Sequence, residues 1–260
     1  MSLAKPDLPG SPFSHRQEVA FQVLGSEAEI RDARAQLERG CLSCLMPGST
    51  HLERLLRRLR GLPPRPAIGD PRKSWDVLHT AEFIGRNFSL DARVLDLGAY
   101  QSEILPVLHR KGFRRLTGMD LDSRVADMPR LEGVRWEVAD FMASRLPTAS
   151  LEVITAISTI EHGFDADRLM SEVSRLLVSG GCFIASFDYW PGKVSTRGVT
   201  LFDLSWTIFS REDVLSLIDC AAQHGLRPPG PLRFEARDRP IHFADRDFTF
   251  AWLALRKEPG

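Results

Sequence analysis

The residues best suited to chemistry are acids and a glycine at strand ends. The run Val94-Leu95-Asp96-Leu97-Gly98-Ala99-Tyr100-Gln101-Ser102-Glu103 puts an acid and a glycine at the end of an apolar strand, just before a helix. In an open α/β sheet this carboxyl edge is where ligands bind. Gly98 there lets a ligand approach the backbone closely, and Asp96 can accept from an ammonium group directly or through water. Asp120, in Gly118-Met119-Asp120-Leu121-Asp122, follows Gly98 by 22 residues and ends the next strand, where an acid can take hydrogen bonds from both hydroxyls of a ribose. Plainer roles exist for the same side chains. Asp is common at strand-to-loop junctions, so Asp96 can be a capping acid, Asp120 a turn residue and Asp140 the former of an Asx turn.

Farther on, Ser158-Thr159-Ile160-Glu161-His162 ends another apolar stretch. A neutral imidazole is a usable base near neutral pH, so His162 can take a proton from a substrate hydroxyl. It can equally cap the next helix or hold the loop. Asp188-Tyr189-Trp190 lies beyond a later strand and offers one acid and two flat surfaces to a pocket. Lys73-Ser74-Trp75-Asp76-Val77-Leu78-His79-Thr80 is polar and aromatic, as a cover over a site would be, although Trp75 can simply pack on the sheet. Cys41-Leu-Ser-Cys44 has the spacing of half a zinc site or of a redox pair, but no second pair or His cluster completes it, and no metal is expected.

These residues must be held by regular elements. Arg93 to Leu97, Leu116 to Met119, Val134 to Val138, Val153 to Ile157 and Cys182 to Phe187 read as strands. Glu103 to Lys111 and Asp165 to Val178 read as helices, the second with Leu169, Met170, Val173 and Leu177 at helical spacing. Ser210 and Asp213 form an S-x-x-D cap ahead of the stripe Val214, Leu217, Ile218, Ala221 and Ala222. Strands and helices taking turns favour a mainly parallel sheet covered on both faces. Phe248 to Leu255 is expected as a last strand, paired antiparallel with the short run Leu232 to Ala236.

The order and spacing of these segments, over roughly residues 75 to 256, resemble the class I S-adenosylmethionine-dependent methyltransferase family. Its first motif is an acid followed by glycines two, four and six residues later. Gly98 is kept, while Tyr100 and Ser102 stand at the second and third glycine places. Ser102 can compensate as a helix N-cap, and Tyr100 is expected to cover the cofactor. The resemblance implies a Rossmann-like, doubly wound, seven-stranded sheet with an antiparallel C-terminal strand. It also implies S-adenosyl-L-methionine as cofactor, with Asp140 receiving the adenine amino group beside Phe141. Ala99, Leu121 and Ser158 complete the expected cofactor contacts.

Residues 1–72 are expected to form a helical N-terminal extension, a lid or docking segment, and residues 73–260 the cofactor-binding domain. The extension reads as two helices, Ser26 to Arg39 and Thr50 to Arg60, with a connector rich in proline after them. On the second, Leu52, Leu55, Leu56 and Leu59 share one face with arginines beside them, the pattern of a packed amphipathic helix or of a docking surface.

With 260 residues, one α/β domain and an appended segment are the natural organisation. Thirty-four basic residues balance 34 acidic ones, so no general positive field draws the chain to nucleic acid or an anionic membrane. No apolar run approaches the roughly 20 residues that span a bilayer, and a cytoplasmic enzyme is expected. The expected acceptor is a hydroxyl on a small molecule or sugar, with His162 as the candidate base. Two other readings share the pattern: a binding or regulatory protein that has lost turnover, and a nicotinamide-dependent oxidoreductase, which wants three glycines where this chain has one.

Overall fold

The computed structural model describes residues 19–61, 63–201 and 204–259. In chain order the elements are β1 (Phe21–Val23), α1 (Glu27–Arg39), α2 (His51–Leu59), α3 (Ser74–Asn87), β2 (Arg93–Leu97), α4 (Ile104–Arg110), β3 (Arg115–Asp120), β4 (Val134–Val138), β5 (Leu151–Ile157), α5 (Ala166–Leu176) and β6 (Leu177–Tyr189). They continue with β7 (Thr200–Leu201), β8 (Leu204–Ser205), α6 (Arg211–Gln223), β9 (Leu226–Arg227), β10 (Ile241–Phe243) and β11 (Arg246–Lys257).

Seven strands follow one path, β1-β11-β6-β5-β2-β3-β4, and β9 and β10 also pair with β11. The ladders joining β2 to β3, β2 to β5, β3 to β4 and β5 to β6 are parallel. Strand β11 runs antiparallel to β6 and to β1. This is the Rossmann-like, mainly parallel sheet expected from the sequence. Strand order reverses at β2, which has β3 on one side and β5 on the other, and a crevice opens at such a switch point beyond the carboxyl ends of the strands.

The period-two pleat of β5 divides its side chains between two cores. Ile154 and Ala156 join Leu95, Leu97, Leu169, Val173, Val214 and Leu217 on the face carrying α5 and α6. Val153 joins Val94, Ile84, Leu108 and Ile184 on the face carrying α3 and α4. Both faces of β6 are covered, and so Cys182 to Tyr189 is an unbroken buried run. Helix α6 begins with the expected capping box, the Ser210 hydroxyl accepting from the Asp213 N–H at 3.2 Å and the Asp213 carboxylate from the Ser210 N–H at 2.8 Å.

Three expectations change. Leu232 to Ala236 does not pair with the last strand. Leu232 makes a parallel bridge to Phe21, and β10 forms the hairpin with β11. Ala244 and Asp245, both at positive φ (48° and 57°), make the two-residue turn of that hairpin, a twist that suits paired strands but is usually signalled by Asn-Gly. Trp75 to Thr80 is no exposed cover either. It belongs to α3, where Trp75 is 3% exposed and the Thr80 hydroxyl accepts from the Trp252 indole at 3.0 Å. The leucine stripe of α2 is not packed: Leu52, Leu55, Leu56 and Leu59 are all exposed.

The N-terminal segment shares the sheet and the site's scaffold. Strand β1 extends the sheet along β11, and the Leu24 carbonyl accepts from the Thr249 hydroxyl at 2.7 Å. From α1, the Arg34 guanidinium donates to both carboxylate oxygens of Glu103, at 3.0 and 2.8 Å, and Glu103 is buried at the start of α4. The Cys44 N–H donates to the same carboxylate at 2.7 Å, which gives the Cys41-to-Cys44 stretch a role in holding the loop after β2.

Candidate functional site

Asp96 lies in the middle of the sheet, in register with Gly118 of β3 and Thr155 of β5. It is fully buried; one carboxylate oxygen accepts from the Thr155 hydroxyl at 2.6 Å, and the other has no hydrogen-bond partner among the described residues. Burial pushes its carboxyl up to about 7, with the Thr155 hydroxyl pulling the other way. Two residues on, Gly98 adopts φ 67°, and a Cβ there would stand 2.5 Å from the Thr159 hydroxyl, which is itself tied to the Leu97 carbonyl at 3.0 Å. Glycine is required at this turn for both reasons.

Asp120 stitches the loop to the end of β3. One oxygen accepts from the Tyr100 N–H at 2.9 Å and the other from the Asp122 N–H at 2.8 Å. The Arg124 guanidinium lies 4.6 Å from the centre of the Tyr100 ring and pairs with Asp122. Asp140 is exposed and accepts from the Met142 N–H at 2.8 Å, the Asx arrangement of its plainer reading. Phe141 is buried in the core beside α5, Ala99 is buried, and Leu121 is 69% exposed.

A cavity of about 360 Å³ runs from this loop toward the end of β6. Gly98, Tyr100, Ser158 and His162 line it, whereas Asp96, Ala99, Asp120, Leu121, Asp140 and Phe141 are not part of its lining. Ser158 holds a left-handed backbone, φ 51°, its N–H donating to the Ser186 carbonyl at 2.9 Å. A non-glycine residue in that region stores strain that the surrounding structure must hold. Burial pushes the His162 imidazole below its ordinary value, against the pull of Asp188, and favours the neutral ring.

The far end of the cavity is acidic. Glu161 is 1% exposed, Asp188 is 7% exposed and Asp76, behind them in α3, is fully buried. The Lys73 ammonium stands 3.7 Å from Asp188 and 3.3 Å from the centre of the Phe250 ring. The Trp206 indole donates to Asp188 at 2.7 Å. Burial, reinforced by Asp188, pushes Glu161 well above the ordinary carboxylate range, and burial pushes Asp76 up to about 7 despite Lys73. Of this group sequence reasoning singled out Asp188 alone. Asp76 and Lys73 were hidden in a stretch read as a cover, and Glu161 was noticed only as the neighbour of His162.

The middle of the chain, residues 95–185, matches the model of the methyltransferase domain family. EEF1A lysine methyltransferase 4 of Mus musculus is 32% identical over 122 residues, which are 38% of this chain and 47% of that protein. The match therefore spans about half the length of that relative. Among solved structures, an S-adenosylmethionine-dependent methyltransferase from Mesorhizobium loti aligns with TM-score 0.50 and 17% identity, over 71% of this chain and 97% of its own. A putative methyltransferase of Haloferax volcanii, solved in complex with the activator Trm112, aligns with TM-score 0.52 and 16% identity, over 70% of this chain and 90% of its own. At such identities the likeness is one of fold, and it agrees with the strand order above. The fold is that of the class I S-adenosylmethionine-dependent methyltransferases, and residues 95–185 are the part that matches their methyltransferase domain. S-Adenosylmethionine is the cofactor of that class. Among the described residues no helix is long and apolar enough to cross a membrane.

Proposed function

We propose that this chain transfers the methyl group of S-adenosylmethionine to a nucleophile seated in the cavity near Glu161, His162 and Asp188. The observation that carries the reading is continuity: Gly98 and Tyr100, from the loop after β2, line the same 360 Å³ space as those three residues.

The donor set suits the cofactor. Asp96 offers a buried carboxylate oxygen with no partner among the described residues, fit to receive an ammonium group. The bare α-carbon of Gly98 keeps the loop backbone approachable. Each oxygen of Asp120 accepts one backbone N–H and keeps capacity for a ribose hydroxyl. Asp140 is the exposed acid left to meet the adenine amino group, with Leu121 as apolar surface nearby and Phe141 supporting from the core.

When bound, the cofactor supplies a methyl group already activated by the sulfonium charge. The chain's own tasks are to align the acceptor's lone pair and to exclude water. For a hydroxyl on a small molecule or sugar, His162 is the proton acceptor within the cavity, held neutral by its burial. The mouse relative is named a lysine methyltransferase, and this keeps an amine acceptor within the same reading.

Calorimetry with S-adenosylhomocysteine and NAD tests it. S-Adenosylhomocysteine should bind, and Asp120→Ala should weaken it by about 1.5–3 kcal/mol, the cost of losing a charged acceptor. Tighter binding of NAD would overturn the reading.

A further inference from the structure

Resting on that reading, we propose that the acceptor end of the cavity is a subsite for a primary ammonium group, with Glu161 and Asp188 as its anionic partners and the Phe248 and Phe250 rings as its wall. The charge inventory carries the argument. Glu161, Asp188 and Asp76 are three buried carboxylates, and Lys73 is the cation that faces them. The other charged groups of the cavity are already matched. Arg72 is held by Asp70 at 2.7 Å, Glu103 is held by Arg34, and His162 is kept neutral. One ammonium thus faces three acids: it pairs with Asp188, and burial favours the neutral form of the other two until a second cation arrives.

The deficit is aimed at the cavity. Glu161 lines it, yet one of its carboxylate oxygens has no hydrogen-bond partner among the described residues. Neither oxygen of Asp76, one layer deeper, has one. Asp188 is oriented by the Trp206 indole and shares Lys73, so a guest ammonium has a fixed acid on one side and an unsatisfied one on the other. The site already shows its liking for that chemistry, because Lys73 places its own ammonium on the face of Phe250. An anionic acceptor would meet the carboxylate of Asp188, and a neutral alcohol would bring no charge to pair with a second carboxylate. The apolar lining of Val77, Ile157 and Ile241 suits the alkyl stem of an amine.

Without a guest, burial favours the protonated forms of Glu161 and Asp76, which face Lys73, Asp188 and His162. Seating R–NH3+ favours R–NH3+ paired with Glu161 carboxylate, the carboxyl proton leaving to solvent. Binding should therefore release protons and strengthen as pH rises from 6 to 8.

The test is calorimetry on the full chain saturated with S-adenosylhomocysteine, using n-butylammonium and n-butanol as matched probes in phosphate and in HEPES, neither of which carries a primary amine. A peptide with one lysine forms a second arm that distinguishes a free amine from a protein side chain. At least tenfold preference for the cation over the alcohol, with proton release that differs between the buffers, is expected. Glu161→Gln should lose that preference and the proton release while keeping S-adenosylhomocysteine binding, and Glu161→Asp should restore part of both. Equal affinity for butanol, or cation binding with no proton release, would overturn the subsite while leaving the methyltransferase reading intact. Failure of S-adenosylhomocysteine to bind would remove both.

Discussion

The loop after β2 and the acceptor end of the cavity are both built with buried or half-buried carboxylates, and they treat them in opposite ways. Around the loop the acids are spent on structure. Glu103 takes both arms of Arg34 and the Cys44 N–H, and Asp120 takes one backbone N–H on each oxygen. At the acceptor end Asp76 and Glu161 keep oxygens with no partner among the described residues. Satisfied acids fix a shape, whereas unsatisfied ones remain free to answer a ligand or a proton. Asp96 stands between these extremes, one oxygen bonded to Thr155 and the other open.

The sharpest way to break the comparison is Glu103→Ala. It should cost about 3 kcal/mol of stability, because the guanidinium of Arg34, 12% exposed, loses its anionic partner. Urea denaturation measures this, and a loss well under 1 kcal/mol would mean that the acids of the loop hold nothing together.

The next effect depends on pH. Folding raises Asp76 to about 7, from roughly 3.9 in the unfolded chain. Between those values the unfolded state has given up its proton and the folded state has not, so stability is full below about pH 4, falls through the window to about pH 7 and levels off above it. Asp76→Asn removes that penalty. Its stability relative to the parent should improve by about 1–3 kcal/mol between pH 4 and pH 8. Denaturation curves at both pH values that differ by the same amount would show that Asp76 is satisfied after all.

Smallest is Tyr100→Gly. The backbone N–H that Asp120 holds is retained, and the ring face on Arg124 is lost, a contact of about 0.5–1 kcal/mol. The fold should persist, with a change of similar size in S-adenosylhomocysteine affinity. An unchanged affinity would show that the ring stands clear of the cofactor.

What could be read from the sequence followed the range of the interactions involved. The capping box of α6, the alternation in β4 and the acid and glycine after β2 are local patterns, and they predicted elements and a sheet edge to within a few residues. Helix α3 departs from the expected cover because its polar groups are buried: Ser74 meets Arg34 and Thr80 meets Trp252, both distant in sequence, and Asp76 lies in the interior. A helix buried on nearly every side has no polar face, so its pattern resembles neither a surface helix nor a loop. Three-residue β1 carries almost no signal, since its partners are Ala251, Trp252 and Leu253. The acid cluster assembles from α3, the loop after β5 and the end of β6, and no spacing in the sequence announces it.

Strand β11 is the seam of the molecule: β6 lies along one edge of it, and β1 and β9 share the other. The Thr249 hydroxyl reaches Leu24 across 225 residues of chain. A ribosome therefore releases β1 long before the strand it must join exists, and β6 waits with one edge bare until β11 emerges. Contacts of such separation are slow to form, and bare strand edges invite pairing with other chains in the interval. The vulnerable interval of this fold is the one before β11 has formed, when that edge of β6 is open to other chains.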